Sequence, residues 1–168
     1  EHSVARGAEH PVWLFEATGS VPVGTTITVT SAAAIVDKCA SFWKFTKGAG
    51  LRLRQAAAAV LNEVTGVAGF GSVAFSGLPS AQRLYFRGLA KEANSTTALT
   101  VSTSFTAITA TRSRNNAAAH LVRGEFRINT STGVTSNPTL AVVGDTAGAF
   151  IALAEYDPAA AIVENAAA

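Results

Sequence analysis

The chain has 168 residues, of which 48% are hydrophobic and only 14% are charged, and its formal net charge is +2. This length favours one domain with a sizeable core, and the small charge excess argues against a dedicated nucleic-acid-binding domain, which usually carries a dense basic stripe. An apolar, weakly charged composition also indicates a surface that is partly covered by neighbouring molecules.

Residues 1–10 are polar and irregular, which is typical of a flexible N-terminal arm. Residues 11–158 are predicted to form the folded domain, and residues 159–168 an alanine-rich C-terminal tail. Because the chain begins at Glu1 and contains no methionine, we expect that an N-terminal piece is missing from it. No apolar run approaches the ~20 residues that span a membrane, so no membrane partner is expected.

The stretch from Thr25 to Gln55 has the clearest local pattern in the chain. Thr26 to Thr30 alternates polar and apolar residues, and its β-branched side chains predict a strand. Apolar residues from Ala32 to Phe45 recur at helical spacing and predict a short helix. A second strand is predicted from Leu51 to about Ala57, followed by an irregular or helical turn.

The middle of the chain gives more ambiguous patterns. Phe70 to Ser76 alternates and predicts a strand that ends at a proline-containing turn. Residues 81–93 predict a short helix, although Tyr85 and Phe86 would also suit a strand. Residues 96–111 are nearly all β-branched or small, which favours a strand.

The last third of the chain again has the alternation of strands. His120 to Thr130 places Arg123, Glu125 and Arg127 on one predicted strand face and apolar residues on the other. The remaining predicted elements are a polar loop at 112–116, a turn-rich linker at 131–138, and strands at 139–143 and 149–156 with a hairpin-like connection between them. About eight strands with one early helix favour an all-β sandwich or jelly roll.

The order of these segments resembles the single jelly-roll coat proteins of small icosahedral plant viruses, most closely the tymovirus type. The resemblance covers about residues 10–158 as a pattern of elements. The segments that carry it are HPVWLFEATG, TTITVTSAAAIVDKCASFWKF, GAGLRLRQ, GFGSVAFSGLPSA and NPTLAVVGDTAGAFIALAEYDP.

This resemblance implies an eight-stranded antiparallel jelly-roll sandwich with a short helix between the first two core strands. It also implies a structural capsid protein of the virion that assembles with itself, in 60 copies or a multiple, around an RNA genome. Coat proteins of the tymovirus type do this without a strongly basic arm, so the packaged RNA is expected to be held through few contacts.

Catalytic groups are few in this sequence. The only histidines are His2, His10 and His120, and Cys39 is the only cysteine. A Cys39–His120 dyad is disfavoured because Cys39 falls on the apolar side of the predicted helix, where a buried hydrophobic role is expected. Residues 69–72 superficially resemble a phosphate-binding loop, but no lysine follows them. The sequence therefore predicts no enzyme, no cofactor and no metal site.

Basic side chains are the candidate functional residues that remain. They can form a solvated strand face, subunit salt bridges, or phosphate contacts on the inner wall of a shell. The candidates for contact with RNA or with other subunits are Lys44, Lys47, Arg52, Arg54, Arg112, Arg114, Arg123 and Arg127.

An extracellular β-sandwich binding module, such as an adhesin or carbohydrate-binding domain, is the alternative function. Serine- and threonine-rich strands, low charge and two glycosylation sequons, at Asn94 and Asn129, are compatible with it. Such a module is expected to remain monomeric and to show an exposed aromatic platform. Trp13 and Trp43 both fall in segments predicted to be packed, so neither is a clear candidate for that platform.

Overall fold

The computed structural model of the protein describes residues 2–6, 10–14, 22–30, 41–46, 52–61, 69–92, 99–115, 118–140, 146–154 and 163–164. Every regular element in these ranges is a β-strand, and every strand pair is antiparallel. The predicted all-β class is therefore confirmed. Within the same ranges no helix is long and apolar enough to cross a membrane.

The strands are numbered here in chain order. They are β1 (His2–Arg6), β2 (His10–Leu14), β3 (Phe45–Thr46), β4 (Arg52–Leu61), β5 (Val73–Phe75), β6 (Ala81–Glu92), β7 (Leu99–Thr100), β8 (Thr106–Asn115), β9 (Ala118–Ser131), β10 (Val134–Ser136), β11 (Thr139–Leu140), β12 (Thr146–Ala154) and β13 (Val163–Glu164).

Five strands form the main sheet in the order β4-β12-β6-β9-β8. Within this sheet, β8 and β9 are the one pair of neighbouring strands that are also consecutive in sequence. Most of the sheet is therefore built from distant parts of the described chain. The other strands form two-stranded sheets, which are β1-β2, β5-β10, β7-β11 and β3-β13. The main sheet thus holds the fold together through long-range pairing.

The segment predicted as a helix over residues 81–93 is instead the central strand β6. Leu84 and Phe86 lie on one face of the main sheet, while Arg83, Tyr85 and Arg87 lie on the other, and all five are buried. The residues of this segment have good helix propensity, but β6 pairs with β12 on one side and β9 on the other. Tertiary pairing therefore overrides the local preference, and the helix prediction is wrong.

One face of the main sheet, which we call the apolar face, carries a cluster of large side chains. Leu84, Phe86, Phe126, Ile151 and Leu153 are buried together there. Trp43 and Phe45 cover them: the Trp43 and Phe86 ring centroids are 4.7 Å apart, and those of Phe45 and Phe126 are 5.4 Å apart. Aromatic packing of this kind fixes the β3 segment against the sheet.

The opposite face carries the charged side chains of β6 and β9, and we call it the charged face. It is covered by the β5-β10 pair and by the segment around Phe105. Phe75 of β5 stacks on Phe150 of β12 with ring centroids 4.4 Å apart and an interplanar angle of 10°. Because both faces of the main sheet are covered, the described core is layered as in a β-sandwich.

Two predicted elements near the start of the chain differ from the structure. Thr25–Thr30 is irregular and joins no strand pair among the described residues. Of the helix predicted over 32–45, residues 41–44 are irregular and Phe45 begins β3, while residues 31–40, including Cys39, lie outside the described residues. The helical spacing of Phe42 and Phe45 is therefore not realised as a helix.

Several predicted boundaries also shift. The strand predicted to end near Ala57 continues to Leu61, and the predicted polar loop at 112–116 is the end of β8 up to Asn115. Strand β10 lies inside the predicted linker at 131–138. In the predicted arm, β1 pairs with β2, and in the predicted tail, β13 pairs with β3.

Gly124 provides a test of how Trp43 and the main sheet pack. A methyl group added at Gly124 would lie 3.2 Å from both Ile108 Cδ1 and Trp43 Cζ2. We expect Gly124→Ala to reduce the free energy of unfolding, measured by urea denaturation, by about 1 kcal/mol. Ile108→Val removes the Cδ1 atom, so the double variant should lose less stability than the sum of the two single variants. Strictly additive losses would contradict this packing.

Candidate functional site

The most unusual feature of the structure is a set of charged side chains inside the core. On the charged face, Arg87 and Glu125 are fully buried, Lys91 is 1% exposed and Arg83 is 2% exposed. Charged side chains are rarely buried unless they are paired and hydrogen-bonded, because removing them from water is costly. These residues therefore form the candidate site.

Arg87 lies near the middle of β6, and its guanidinium crosses to the layer that covers the charged face. Its Nη1 donates to the backbone oxygen and to the Oγ of Ser136, both at 2.9 Å. Its Nη2 donates to the backbone oxygens of Phe70 and Gly71 at 2.5 and 2.8 Å. The segment considered as a phosphate loop therefore presents carbonyl oxygens to a cation, which is the opposite polarity from phosphate binding.

Glu125 of β9 is the anion of the same cluster. Its Oε1 accepts hydrogen bonds from the hydroxyls of Ser102 and Ser136 at 2.7 and 2.6 Å, and its Oε2 accepts one from the Ser102 backbone N–H at 2.7 Å. The Ser102 hydroxyl in turn accepts from the backbone N–H of Asn137 at 2.6 Å. Three donors thus satisfy a carboxylate that has no access to water.

Arg87 and Glu125 stand directly opposite each other on neighbouring strands. The Ser136 hydroxyl connects them, since it accepts from Arg87 and donates to Glu125. Burial lowers the pKa of Arg87 to about 10, and the negative charge of Glu125 partly offsets this decrease. We call Arg87, Glu125, Ser102 and Ser136 the buried charge cluster. It joins β6 and β9 of the main sheet to β10 and to the turn at Ser102.

Lys91 lies on the same face, four residues farther along β6, but without a comparable set of partners. Its Nζ is buried, has no hydrogen-bond partner among the described residues, and lies 5.7 Å from the centroid of the Phe70 ring. Thr146, its partner residue on β12, also has a buried hydroxyl for which the described residues provide no hydrogen bond. Burial removes the ammonium from water, which lowers the pKa of Lys91.

The other end of β6 is held by backbone oxygens. Arg83 donates to the backbone oxygens of Pro79, Ala81 and Ser131. The Tyr85 hydroxyl lies 2.8 Å from the Oγ of Ser131. These contacts attach the 79–81 turn to the end of β9, so Arg83 has a structural role.

The structure places two predicted site residues, Arg123 and Arg127, on the charged face on either side of Glu125. Both are half-buried, and burial lowers the pKa of Arg123. With its amide oxygen turned toward Arg127, Asn129 accepts hydrogen bonds from Nη2 and Nε at 2.9 and 3.1 Å. The predicted grouping on one face is correct, but Glu125 at its centre is not solvated.

Of the other predicted basic residues, the structure describes the side chains of Lys44 and Arg54, and neither belongs to this cluster. Lys44 and Arg54 are exposed, on the segment before β3 and on β4 respectively. Arg112 and Arg114 belong to the edge strand β8, not to a loop. The structure does not describe the side chains of Arg52, Arg112 and Arg114. Lys47 lies entirely outside the described residues.

Arg83, Arg87 and Lys91 were missed as site residues because residues 81–93 were interpreted as a helix. The signal that could have found them is the period-two pattern of Arg83, Tyr85, Arg87, Leu89 and Lys91, which places all five on one strand face. The partners Ser102 and Ser136 carry no comparable sequence signal. They meet Glu125 only through the tertiary fold.

Chemically, this arrangement holds the layers together and presents no reactive group to solvent. Both serine hydroxyls donate to Glu125, and all four members of the cluster are buried. Among the described residues, no three His, Cys, Asp or Glu side chains come close enough to hold a metal ion. Comparison with protein-family models, curated proteins and solved structures finds no match to this chain, so its function must be inferred from the molecule itself.

Proposed function

We propose that the protein is the capsid protein of a small icosahedral RNA virus and that it assembles with itself into a shell. The observation that carries the proposal is an inverted distribution of side chains. Arg83, Arg87, Lys91 and Glu125 are buried, whereas Ile27, Val29 and Phe42 are 55%, 60% and 52% exposed. A chain that buries charge and exposes large apolar side chains has a surface suited to neighbouring subunits.

The low net charge of the molecule supports this interpretation. The chain has 13 basic and 11 acidic residues, which gives a formal net charge of +2. Electrostatic repulsion between copies would therefore oppose the close packing of many subunits only weakly.

A jelly roll is the finer topology that we propose for the sandwich. Its support is the insertion of the late strand β12 between the early strands β4 and β6. Strands that are distant in sequence but adjacent in an antiparallel sheet are typical of Greek-key and jelly-roll connections. A shell built from such a domain would contain 60 copies or a multiple of 60.

The contacts with packaged RNA are proposed to be few. Of the basic residues predicted to contact RNA or another subunit, Lys44, Arg54, Arg123 and Arg127 have side chains that the structure describes. Among these four, Lys44 and Arg54 are exposed. These two exposed cations can bind phosphate without base specificity. RNA would then fill the shell without directing its geometry.

Size-exclusion chromatography with absorbance at 260 and 280 nm, followed by negative-stain imaging, tests the proposal. At neutral pH and moderate salt we expect a large species that contains nucleic acid and appears as closed particles. As the salt concentration is raised, the particles should release nucleic acid at a lower salt concentration than the one at which they dissociate into subunits. A monodisperse, nucleic-acid-free monomer under the first condition would contradict the proposed function.

An extracellular binding module is the second candidate, and the exposed Phe42 ring favours it as part of an aromatic platform. The neighbouring Trp43 does not extend such a platform, because it packs against Phe86 in the core. A monomer that binds an immobilised glycan through Phe42, with binding lost in Phe42→Ala, would support this second function over the first.

A further inference from the structure

Residues 22–30 form an exposed segment without regular secondary structure, and it begins at a defined turn. The Thr25 backbone N–H and hydroxyl donate to the backbone oxygen of Pro22 at 3.2 and 2.8 Å, and Gly24 has a φ of +81°. The turn fixes where the segment starts, and a side chain at Gly24 would be strained because of this φ value. From Thr25 to Thr30 the chain then continues without a strand partner among the described residues.

The composition of this segment is that of a strand. Thr25 to Thr30 consists of six consecutive β-branched residues, which restrict the backbone to extended conformations. All of residues 22–30 are exposed, and the apolar side chains of Ile27 and Val29 recur with the period of a strand face. An exposed segment with the composition of a strand, and with no strand partner among the described residues, is suited to pairing with a sheet edge.

The main sheet offers a matching edge at β4. Residues 55–61 of β4 pair with β12 without a register shift, and they include no charged residue and no proline. Both edge strands carry a register shift: β8 between Ile108 and Thr111, and β4 at Arg54, opposite Ala152 and Leu153. The shift in β4 lies near its start, so residues 55–61 form the longer uninterrupted run at an edge of the main sheet within the described part of the chain.

Side chains beside the β4 edge complement the segment. Leu53 is 39% exposed, and Ala56 is exposed as well. Both residues are in register with the apolar face, opposite Leu153 and Ile151 respectively. A strand added to β4 with Ile27 and Val29 on that side would extend the apolar face and cover Leu53 and Ala56.

We propose that residues Thr26–Thr30 of one copy add as a strand to the β4 edge of a second copy. The inference rests on the proposed function, because self-assembly makes a second copy the partner at highest local concentration. Neither Thr26–Thr30 nor residues 55–61 carry a charge, so the pairing buries no charged group. Strand exchange of this kind would link subunits through backbone hydrogen bonds.

Thr28→Pro tests the proposal, with Thr28→Ala as its matched control. Proline removes a backbone donor in the middle of the added strand, whereas alanine keeps it. Because this segment makes no strand pair with the described residues of its own chain, both variants should keep the circular-dichroism spectrum and melting temperature of the parent. Assembly, followed by light scattering, should require at least about tenfold more protein in Thr28→Pro, corresponding to about 1.4 kcal/mol. Equal assembly of the two variants would overturn the proposal.

Cysteine pairing supplies a second measurement that does not depend on particle formation. In a Cys39→Ser background, Val29→Cys and Ala56→Cys chains are mixed and oxidised at micromolar concentration. We expect a disulfide-linked dimer in the mixture and several-fold less in either variant alone. A double variant that closes only within one chain, or a mixture without dimer, would overturn the proposal. If the parent chain forms no particles, the proposed function fails. The crosslinking result then tests the strand exchange independently of particle formation.

Discussion

Replacing Arg87 with methionine is expected to lower the free energy of unfolding by about 3–5 kcal/mol, the usual cost of breaking a buried charge pair from one side. The substitution removes the four hydrogen bonds that the guanidinium donates to Ser136, Phe70 and Gly71. It also leaves the Glu125 carboxylate inside the core without its opposing charge. The measurement is urea denaturation of dissociated subunits, monitored by tryptophan fluorescence.

A double-mutant cycle separates this charge effect from simple loss of packing. Glu125→Leu alone should also be strongly destabilising, because Arg87 is then the uncompensated charge. The double variant Arg87→Met/Glu125→Leu should be more stable than the sum of the two single losses predicts, since it leaves neither charge unpaired. Arg127→Met, on the same face but half-buried, serves as the control and should cost clearly less. Additive losses for Arg87 and Glu125 would contradict the coupling described here.

Replacing Lys91 with methionine should have the opposite sign and increase the free energy of unfolding by about 1–3 kcal/mol, the penalty of a buried unsatisfied donor. Lys91 is 1% exposed, its ammonium has no hydrogen-bond partner in the described part of the chain, and the centroid of the Phe70 ring lies 5.7 Å from its Nζ. Methionine fills a similar volume without a charge. Exposed Lys44→Met is the matched control and should change stability little.

The pH dependence of stability gives an independent check on Lys91. Burial lowers its pKa in the folded protein below the ordinary value of 10.5 that it regains on unfolding. Between these two pKa values the unfolded chain binds more protons than the folded protein, so stability should rise with pH across that window. This rise should be smaller in Lys91→Met. An unchanged profile, or a loss of stability in the variant, would show that the ammonium has a partner.

The sequence was sufficient to predict the all-β class. In β5 and β9, side chains of different polarity alternate along the chain, which is the pattern of a strand whose two faces have different surroundings. It was not sufficient for β6. That strand is buried on both faces, and its residues Arg87 and Lys91 are good helix formers, so composition indicated a helix. A central strand is defined by its neighbours β9 and β12, and local patterns carry little information about them.

The buried charge cluster shows the same limit at the level of side chains. The alternation in β9 correctly placed Arg123, Glu125 and Arg127 on one face, but a polar strand face was expected to meet water. Whether such a face points outward depends on what covers it, here the β5-β10 pair and the turn that carries Ser102. Those contacts join residues far apart in sequence and have no local signature.

The strand predicted at Thr26–Thr30 is not observed, and the reason is different. Thr26 to Thr30 has the composition of a strand, yet in the described structure it has no strand partner. Strand propensity indicates that a segment can pair with another strand, but it does not indicate whether that strand belongs to the same chain or to another one. The mismatch between propensity and pairing is what motivates the proposed strand exchange between copies.

Self-assembly into a closed shell is the claim on which the proposed function depends, and the mass of the assembled species tests it most directly. Sedimentation velocity of the purified protein at neutral pH and moderate salt should show one large boundary. Sixty copies of the 17.2 kDa chain would contain about 1 MDa of protein, and larger shells would contain a multiple of this value. A single boundary at the mass of one chain, unchanged as protein concentration rises, would contradict the claim.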